Sequence, residues 1–124
     1  KIKKIYNTYK HNIISLNELF YIIRIYFNKS FETTKDDTLD NNFKTIIKEF
    51  ITCLDNLSVW SQSNLEENIK KFVERKKIKF SLLGKPIRYI LTNNINGPPI
   101  HTIIDILGKK NTFIRLNKYI KRNQ

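Results

Sequence analysis

Apolar residues recur every three or four positions along most of this chain, which is the spacing of one face of an α-helix. Ser15-Leu16-Asn17-Glu18 has the form of a capping box and predicts a helix to about Asn28. The apolar positions that we expect to face inward on this helix are Leu16, Leu19, Phe20, Ile23 and Phe27. Residues 29–40 are polar and are predicted to form a loop. The longest apolar stripe predicts a helix that starts at Leu39, with Leu39, Phe43, Ile46, Ile47, Phe50, Ile51, Leu54 and Leu57 on its inner face.

The middle of the chain predicts two shorter helices. Ser63-Asn64-Leu65-Glu66 has the form of a second capping box. The helix that it starts ends at Lys76–Lys79 and turns Leu65, Ile69, Phe72 and Val73 inward and Lys70, Lys71, Glu74 and Arg75 outward. Pro86 is compatible with the first turn of the next helix, because its missing N–H is not needed there. The apolar residues of that helix are Ile87, Ile90 and Leu91.

The last third predicts a loop at residues 93–99 and two more helices. Pro99 can start the first of them, and Gly108 can stop it in the left-handed conformation. Its apolar residues are Ile100, Ile103, Ile104 and Leu107. The final helix is expected to bury Phe113, Leu116, Tyr119 and Ile120, with Arg115, Lys118, Lys121 and Arg122 around the rest. No strand pattern competes, so the predicted fold class is all-α, a compact bundle of five or six short helices.

Length and composition narrow the class of protein. The 124 residues predict one domain or part of a larger protein, and the absence of methionine favours a piece of a longer polypeptide. No run of about 18 apolar residues occurs, so no membrane span is predicted. Cys53 is the only cysteine, so an internal disulfide and a cysteine-based zinc site are both excluded. This usage fits a reducing cytoplasm.

The formal net charge of +12 is unevenly distributed. Residues 1–69 contain nine Lys/Arg and nine Asp/Glu, whereas residues 70–124 contain fourteen Lys/Arg and only Glu74 and Asp105. The chain lacks alanine and is rich in Lys, Asn and Ile, a bias that an A+T-rich genome produces, but such a bias would spread the charge evenly. The asymmetry therefore predicts that a polyanion binds the second half.

No catalytic constellation is predicted. His11 and His101 lie in different regions without matching carboxylates, and a metal site needs more ligands of the His/Cys type. No phosphate-binding glycine loop that ends in Lys-Ser/Thr occurs. Glu66-Glu67 fits the acidic first turn of a helix. We therefore expect no catalytic, cofactor-binding or metal-binding residue in this chain.

All three prolines and all three glycines fall between residues 84 and 110. The motifs around them resemble, in order and spacing, the C-terminal anticodon-binding domain of bacterial glutamyl-tRNA synthetases. The segments that carry the resemblance are Pro86–Asn93, Asn94–Gly97, Pro98-Pro99-Ile100, Ile106–Lys109 and Arg115-Leu116, with weaker matches at Trp60, Ser63–Phe72 and Leu16–Phe27. Trp60 is expected to be a core anchor rather than a platform for base stacking.

The resemblance implies a tRNA-binding domain of a class I ligase that attaches glutamate to tRNA with ATP and Mg²⁺. The catalytic part of that ligase is not in this chain. Residues 1–57 would be a helical part of the anticodon-stem and anticodon-binding region, and residues 58–124 the C-terminal anticodon-binding subdomain. The resemblance also implies a cytoplasmic monomer that does not bind membranes. Its expected partners are tRNA(Glu) and also tRNA(Gln).

Site residues follow from the resemblance one by one. Arg88 matches the arginine that contacts the anticodon, and Gly97, Pro98 and Ile100 match loop positions that face its first and second bases. Asn94 belongs to the same loop. A backbone that must lie close to a nucleotide favours glycine and proline. Without the resemblance, Arg88 would be read as a solvated helix charge, Pro98 as part of a helix entry and Ile100 as core.

Asn12 marks a departure from the family. Members that charge only glutamate tRNA commonly carry an arginine at this position, which reads the third anticodon base. Asparagine cannot reproduce the two-pronged donor geometry of arginine. We therefore expect weak discrimination between glutamate and glutamine tRNAs at that base. Gly97 also stands where a hydroxyl residue is common, so no side-chain hydrogen bond is expected there.

Lysines of the second half are expected to attract phosphates in a salt-sensitive manner that is independent of sequence. The predicted phosphate contacts are Lys76, Lys77, Lys79, Lys85, Lys109 and Lys110. Two other interpretations stay open. One is a basic helical module that docks on an acidic protein, and the other is a membrane-surface binder that uses the basic helix at residues 111–122.

Overall fold

The computed structural model describes residues 1–13, 15–31 and 41–122. They form six helices and, within these ranges, no strand, which confirms the all-α prediction. The helices are α1 (Ile2–Tyr9), α2 (Leu16–Phe27), α3 (Asn41–Asp55), α4 (Gln62–Lys76), α5 (Phe80–Thr92) and α6 (Ile100–Arg122). The predicted helix start at Leu39 and most of the predicted loop at residues 29–40 lie outside the described residues.

The inner face of α2 differs from the prediction. Its start is confirmed, because the Ser15 hydroxyl accepts a hydrogen bond from the Glu18 N–H at 3.2 Å. However, Leu19 and Tyr26 are the buried residues, while Leu16 and Phe20 are half or more exposed. The sequence of α2 is apolar on nearly every side, so periodicity alone does not select which side packs against α1.

Two predicted boundaries of α4 and α5 are wrong. The N-cap of α4 is Ser61, whose hydroxyl accepts from the Asn64 N–H at 3.3 Å, and not Ser63. Pro86 lies inside α5 instead of in its first turn, because α5 already begins at Phe80. Proline leaves the carbonyl four residues earlier without its helical donor. That residue is Leu82, which is exposed, so water can replace the missing donor.

The core forms where α6 packs against α3, α4 and α5. The predicted inward residues of α3 to α6 are confirmed in their central positions. The fully or almost fully buried ones are Ile47, Phe50, Leu54, Leu65, Ile69, Phe72, Ile87, Ile90, Leu91, Ile100, Ile103, Ile104, Leu107 and Leu116. Phe50 and Phe72 meet edge to face at 5.5 Å between ring centres. Trp60 packs against this core and meets Phe113 edge to face at 5.9 Å, as expected of a core anchor.

Gly108 interrupts α6 as predicted, but in a different conformation. Its backbone angles are φ 83° and ψ 163°, which lie outside the left-handed helical region and in a region that is essentially restricted to glycine. The helix resumes directly after it, so residues 100–107 and 109–122 run as two segments joined at a kink. The kink allows the second segment to take a separate course over the ends of α2 and α5.

Arg115, in the second segment, is buried, contrary to the prediction that it lies on the exposed side. Only 6 % of its surface is exposed. Its guanidinium donates to the Leu91 carbonyl at 2.6 Å and to the carbonyls of Ile25 and Asn28 at 2.7 and 3.2 Å. The central carbon of the guanidinium, Cζ, also lies 4.3 Å from the centre of the Phe31 ring. From sequence, a charged side chain is expected on the exposed side of a helix. Arg115 can be buried because the C-terminal ends of α2 and α5 supply carbonyl acceptors for its guanidinium.

Gly108→Ala should lower the free energy of unfolding by about 1–3 kcal/mol, the typical cost of a non-glycine residue in such a conformation. An added Cβ would meet no atom within 4 Å, so the loss would come from the backbone alone. Urea unfolding followed by circular dichroism measures it. Lys110→Ala, an exposed change two residues further along α6, serves as the control and should change stability little. Equal stability of the two variants would contradict the role given to Gly108.

Candidate nucleic-acid interface

A groove of about 750 Å³ lies between α1 and α2 on one side and the loop at residues 93–99 on the other. One wall contains Thr8 and Tyr9 of α1, Asn12, and the α2 residues Glu18, Tyr21, Ile22, Ile25 and Tyr26. The opposite wall contains Thr92, Asn93, Asn94, Asn96, Gly97, Pro98, Pro99 and Thr102. The structure thus brings four of the predicted site residues to one groove, although Asn12 is more than 80 positions from the others in sequence.

The loop wall of the groove is a series of tight turns. Asn93 ends α5 in the left-handed conformation, and its N–H donates to the Tyr89 carbonyl at 2.8 Å. The Asn94 side-chain oxygen accepts from the Asn96 N–H at 2.9 Å, which is a turn that asparagine forms with its own backbone. Gly97 has φ 141°, where a side chain would strain the backbone, and the space around it is open. A ligand can therefore approach the backbone closely at Gly97.

Arg88 connects α5 to this loop. Its Nε donates to the Pro98 carbonyl at 2.8 Å. The side chain lies back along α5, so that a Cβ added to Gly84 would come within 3.2 Å of Nη1. Arg88 is thus a half-buried residue that fixes the loop, which the interpretation as a solvated helix charge does not describe. Its two terminal nitrogens have no hydrogen bond with the described residues.

Ile100 stands apart from the other predicted site residues. Its side chain is fully buried in the core at the start of α6, so only its backbone is available to a nucleotide. Pro99 accepts the first hydrogen bonds of α6 from Thr102 and Ile103 and is therefore the residue just before the helix. The loop lies between α5 and α6 as predicted. The prediction for Ile100 overestimated how much of its side chain is accessible.

Two tyrosines form the interior of the α1–α2 wall. The hydroxyl oxygens of Tyr9 and Tyr26 are 2.7 Å apart, and their rings meet edge to face at 6.1 Å. Burial raises the pKa of both tyrosines above the ordinary value, so both hydroxyls stay protonated at neutral pH. Tyr21, further along the wall, is 54 % exposed and offers a free aromatic face at the groove.

The predicted phosphate contacts fall into two groups. Lys76 forms an ion pair with Glu49, and Lys109 lies 3.4 Å from a carboxylate oxygen of Asp55, so α3 neutralises both. The other predicted contacts are exposed and form no ion pair with any residue in the described ranges. They are Lys77, Lys79, Lys85 and Lys110.

Metal-type side chains do not cluster in the described part of the chain. No cluster of three or more His, Cys, Asp or Glu residues there could hold a metal ion. His101 lies 3.6 Å from a Glu66 carboxylate oxygen, which gives α4 and α6 an ion pair whenever the imidazole is protonated. No described helix has the length and apolar character needed to cross a bilayer.

Comparison with known proteins decides the family. Residues 1–120 match the family described as the anticodon binding domain. This chain belongs to that family. The match includes the residues of both walls of the groove, so both walls belong to one anticodon-binding domain.

Curated relatives of this anticodon-binding domain are glutamate–tRNA ligases. The protein from Mycoplasmopsis pulmonis is 32 % identical over 111 residues, which is 90 % of this chain and 24 % of the relative. The protein from Chlorobium phaeobacteroides is 31 % identical over 115 residues, covering 90 % of this chain and 22 % of the relative. The chain thus spans about a quarter or less of the length of the relatives that it matches.

A solved structure shows the same fold. The glutamate tRNA ligase of Elizabethkingia meningosepticum, crystallised with its amino acid, superposes with a TM-score of 0.71. The superposition covers 99 % of this chain and 28 % of that protein, at 17 % sequence identity. At this identity the likeness extends to the fold only.

Two features of the site were missed from sequence. The aromatic wall of Tyr9, Tyr21 and Tyr26 depends on how α1 packs on α2, and no local pattern predicts that arrangement. The internal role of Arg115 was also missed. A signal for it does exist, because Arg115 directly precedes the buried Leu116 and lies four residues from the buried Tyr119 and three from the buried Thr112. That spacing places Arg115 at the edge of the buried face of α6.

Proposed function

We propose that this anticodon-binding domain belongs to a glutamate–tRNA ligase and binds the anticodon arm of tRNA(Glu). The observation that carries the proposal is the groove, which gathers Asn12, Asn94, Gly97 and Pro98 beside the free face of Tyr21. The parent enzyme would activate glutamate with ATP and Mg²⁺ in a separate part. It would act as a cytoplasmic monomer, with residues 1–57 and 58–124 as successive parts of its anticodon-binding region.

The groove suits unstacked bases. RNA bases in a loop can be splayed out, stacked on aromatic side chains and hydrogen-bonded along their edges. Tyr21 supplies an exposed ring, and Asn12 and Asn94 supply amide groups on opposite walls. The open backbone at Gly97, in a conformation that favours glycine, allows close approach without a side chain in the way. These features support a site that reads bases and not only charge.

Arg88 has two tasks in the proposed complex. Its Nε holds the loop through the Pro98 carbonyl, while the terminal nitrogens remain as donors for a base or a phosphate. Its removal would therefore loosen the loop and delete a donor to the RNA at the same time. The proposed base-reading set is Arg88, Asn12, Asn94, Gly97 and Pro98, with Ile100 contributing backbone only.

A second layer of binding depends on charge alone. Lys77, Lys79 and Lys85 lie along the connection from α4 into α5, and Lys79 is about 20 Å along the helix axis from the loop at Asn93. We propose that these lysines and Lys110 contact phosphates of the anticodon stem. Lys76 and Lys109 are less suited to this role because Glu49 and Asp55 already neutralise them.

Titration with RNA stem-loops tests the base-reading proposal. We expect the chain to bind a glutamate anticodon stem-loop at least about tenfold more tightly than one whose anticodon bases are all replaced, because more than one base contact would be lost at about 1–3 kcal/mol each. Arg88→Ala should lose about tenfold in affinity for the first and less for the second, since a good base contact contributes about 1–3 kcal/mol. Fluorescence anisotropy gives both affinities.

Arg24→Ala is the matched control for this titration. Arg24 is an exposed arginine of α2 that does not line the groove, so the variant loses the same charge without altering the groove. Equal binding of both stem-loops by the unaltered chain would contradict the proposal. A second measurement adds an acidic protein or lipid vesicles to the bound RNA as competitors. Displacement of the RNA by either competitor would indicate that the chain docks on a protein or on a membrane surface, and would also contradict the proposal.

The two groups of lysines predict different salt dependence. Lys77→Ala with Lys79→Ala should lower the slope of log affinity against log salt by about 2, because each phosphate that is no longer neutralised lowers it by about 1. Lys76→Ala with Lys109→Ala should lower it much less, although both double variants remove two positive charges. Anisotropy titrations over a range of KCl concentrations measure the slopes. The same slope change in both double variants would contradict the assignment.

Asn12 predicts weak selection at the third anticodon base. Two stem-loops that differ only at that base should bind this chain with similar affinity. Asn12→Arg should introduce a preference of about tenfold for the glutamate sequence, because arginine can form a bidentate contact worth about 1–3 kcal/mol. Asn12→Gln is the control, since it lengthens the side chain without adding a guanidinium. An unchanged ratio in Asn12→Arg would refute the role given to this position.

A further inference from the structure

Arg115 touches the elements on both sides of the groove without lining it. On one side its guanidinium bonds the carbonyl of Ile25, a groove-wall residue of α2, and that of Asn28 at the helix end. On the other side it bonds the carbonyl of Leu91, two residues before the loop begins at Asn93. One side chain of α6 therefore joins α2 to α5 through hydrogen bonds.

We propose that Arg115 is a positioning residue that sets the separation of the two groove walls, and through it the selection of anticodon bases. A planar guanidinium has donors in fixed directions, so acceptors that bind it must keep a fixed relative position. Two of the acceptors, Ile25 and Leu91, belong to the last turns of α2 and α5, whose carbonyls lack helical partners and need a donor. The third is Asn28, directly after α2. The ring of Phe31 at 4.3 Å holds the plane of the guanidinium.

An ordinary packing role does not account for this arrangement. An apolar side chain could fill the same space, but it would leave the carbonyls of Ile25 and Leu91 without this donor, whereas the Asn28 carbonyl would keep the Phe31 N–H at 3.2 Å. It would also place no directional restraint between α2 and α5, which touch each other little directly. The restraint acts at the base of the loop, so a small rotation there would move Gly97 and Pro98 relative to Asn12.

This inference rests on the proposed function, and the experiment separates the two. Affinities for the glutamate stem-loop and for the base-replaced stem-loop are measured for the unaltered chain, for Arg115→Met and for Arg115→Lys. Methionine fills the space without burying a charge, and lysine keeps the charge but cannot reach all three carbonyls in the same way. Ile47→Val, a core change in α3 away from the groove, is the control for a loss of stability alone.

In Arg115→Met we expect the ratio of the two affinities to fall about tenfold, the loss expected when one well-made base contact is displaced. The salt slope should not change, because Arg115 is buried and its guanidinium is occupied by backbone carbonyls, which leaves it out of reach of a phosphate. Arg115→Lys should retain part of the ratio. Ile47→Val should lower the melting temperature and leave the ratio intact.

Hydrogen exchange supplies a readout that needs no RNA. The Asn96 amide is held by the Asn94 side chain within the loop, and its exchange should become faster in Arg115→Met but not in Ile47→Val. An unchanged ratio together with unchanged exchange would overturn the inference while leaving the proposed function intact. A ratio near one in the unaltered chain would overturn the proposed function, and unchanged exchange would then overturn the positioning role as well.

Phe31→Leu covers the case in which both Arg115 variants fail to fold. This change removes the ring against the guanidinium and keeps the three hydrogen bonds, so the fold should survive. A looser guanidinium should lower the affinity ratio about threefold and speed up exchange at Asn96, a fraction of the effect expected when a base contact is abolished. No change in either quantity would count against the proposal.

Discussion

The Arg115 guanidinium lies in the interior, and no carboxylate among the described residues neutralises it. Removing a cation from water costs several kcal/mol in real proteins. Hydrogen bonds that involve a charged group return about 1.5–3 kcal/mol each, so three of them and an aromatic face can offset the cost. Burial lowers the pKa of Arg115 to about 10, so the side chain stays charged at neutral pH and keeps all of its donors. The Arg115 guanidinium therefore keeps three elements together: the end of α2, the end of α5 and the second segment of α6. The kink at Gly108 sets the direction of that second segment, which carries Arg115.

Periodicity predicted the helices well wherever one face of a helix is clearly more apolar than the other. In α3 the buried residues Phe43, Ile47, Phe50 and Leu54 follow the predicted stripe, because polar residues occupy the opposite face. In α2 the same reasoning predicted that Leu16 and Phe20 face inward, but both are exposed. This helix carries apolar residues on nearly every side, so the pattern does not identify the buried face. The predicted helix boundaries were wrong where a local signal did not identify the helix start uniquely. Ser61 and Ser63 are both good caps, and Pro86 is tolerated within α5 because the carbonyl that it leaves unpaired belongs to an exposed turn.

The candidate site was only partly predictable for a different reason. The loop at residues 93–99 is a local feature, because glycine, proline and asparagine fix its turns. Its partner wall is not local, since Tyr9, Tyr21 and Asn12 reach the loop only through the packing of α1 and α2. Sequence reasoning reached Asn12 through resemblance to a family and not through its surroundings. It also could not separate Lys76 and Lys109 from the other lysines, because their neutralising partners Glu49 and Asp55 come from α3.

That neutralisation bears on how affinity and selection can be divided in this domain. Most of the net positive charge lies after residue 69, and binding that uses all of it would be strong and independent of sequence. Pairing Lys76 and Lys109 within the fold removes part of this attraction. Of the predicted phosphate contacts that are unpaired among the described residues, Lys77 and Lys79 lie just before α5, about 20 Å from the loop, whereas Lys85 lies within α5 and Lys110 in α6. Among the described residues, those that line the groove supply amides, aromatic rings and open backbone, with Glu18 as the only carboxylate and no lysine. A tRNA held by its stem phosphates would then gain further affinity only if its anticodon bases fit between walls whose spacing Arg115 sets. Lys77 and Lys79 thus lie at one end of α5 and the loop at the other, so this helix connects part of the charge to the proposed site of selection.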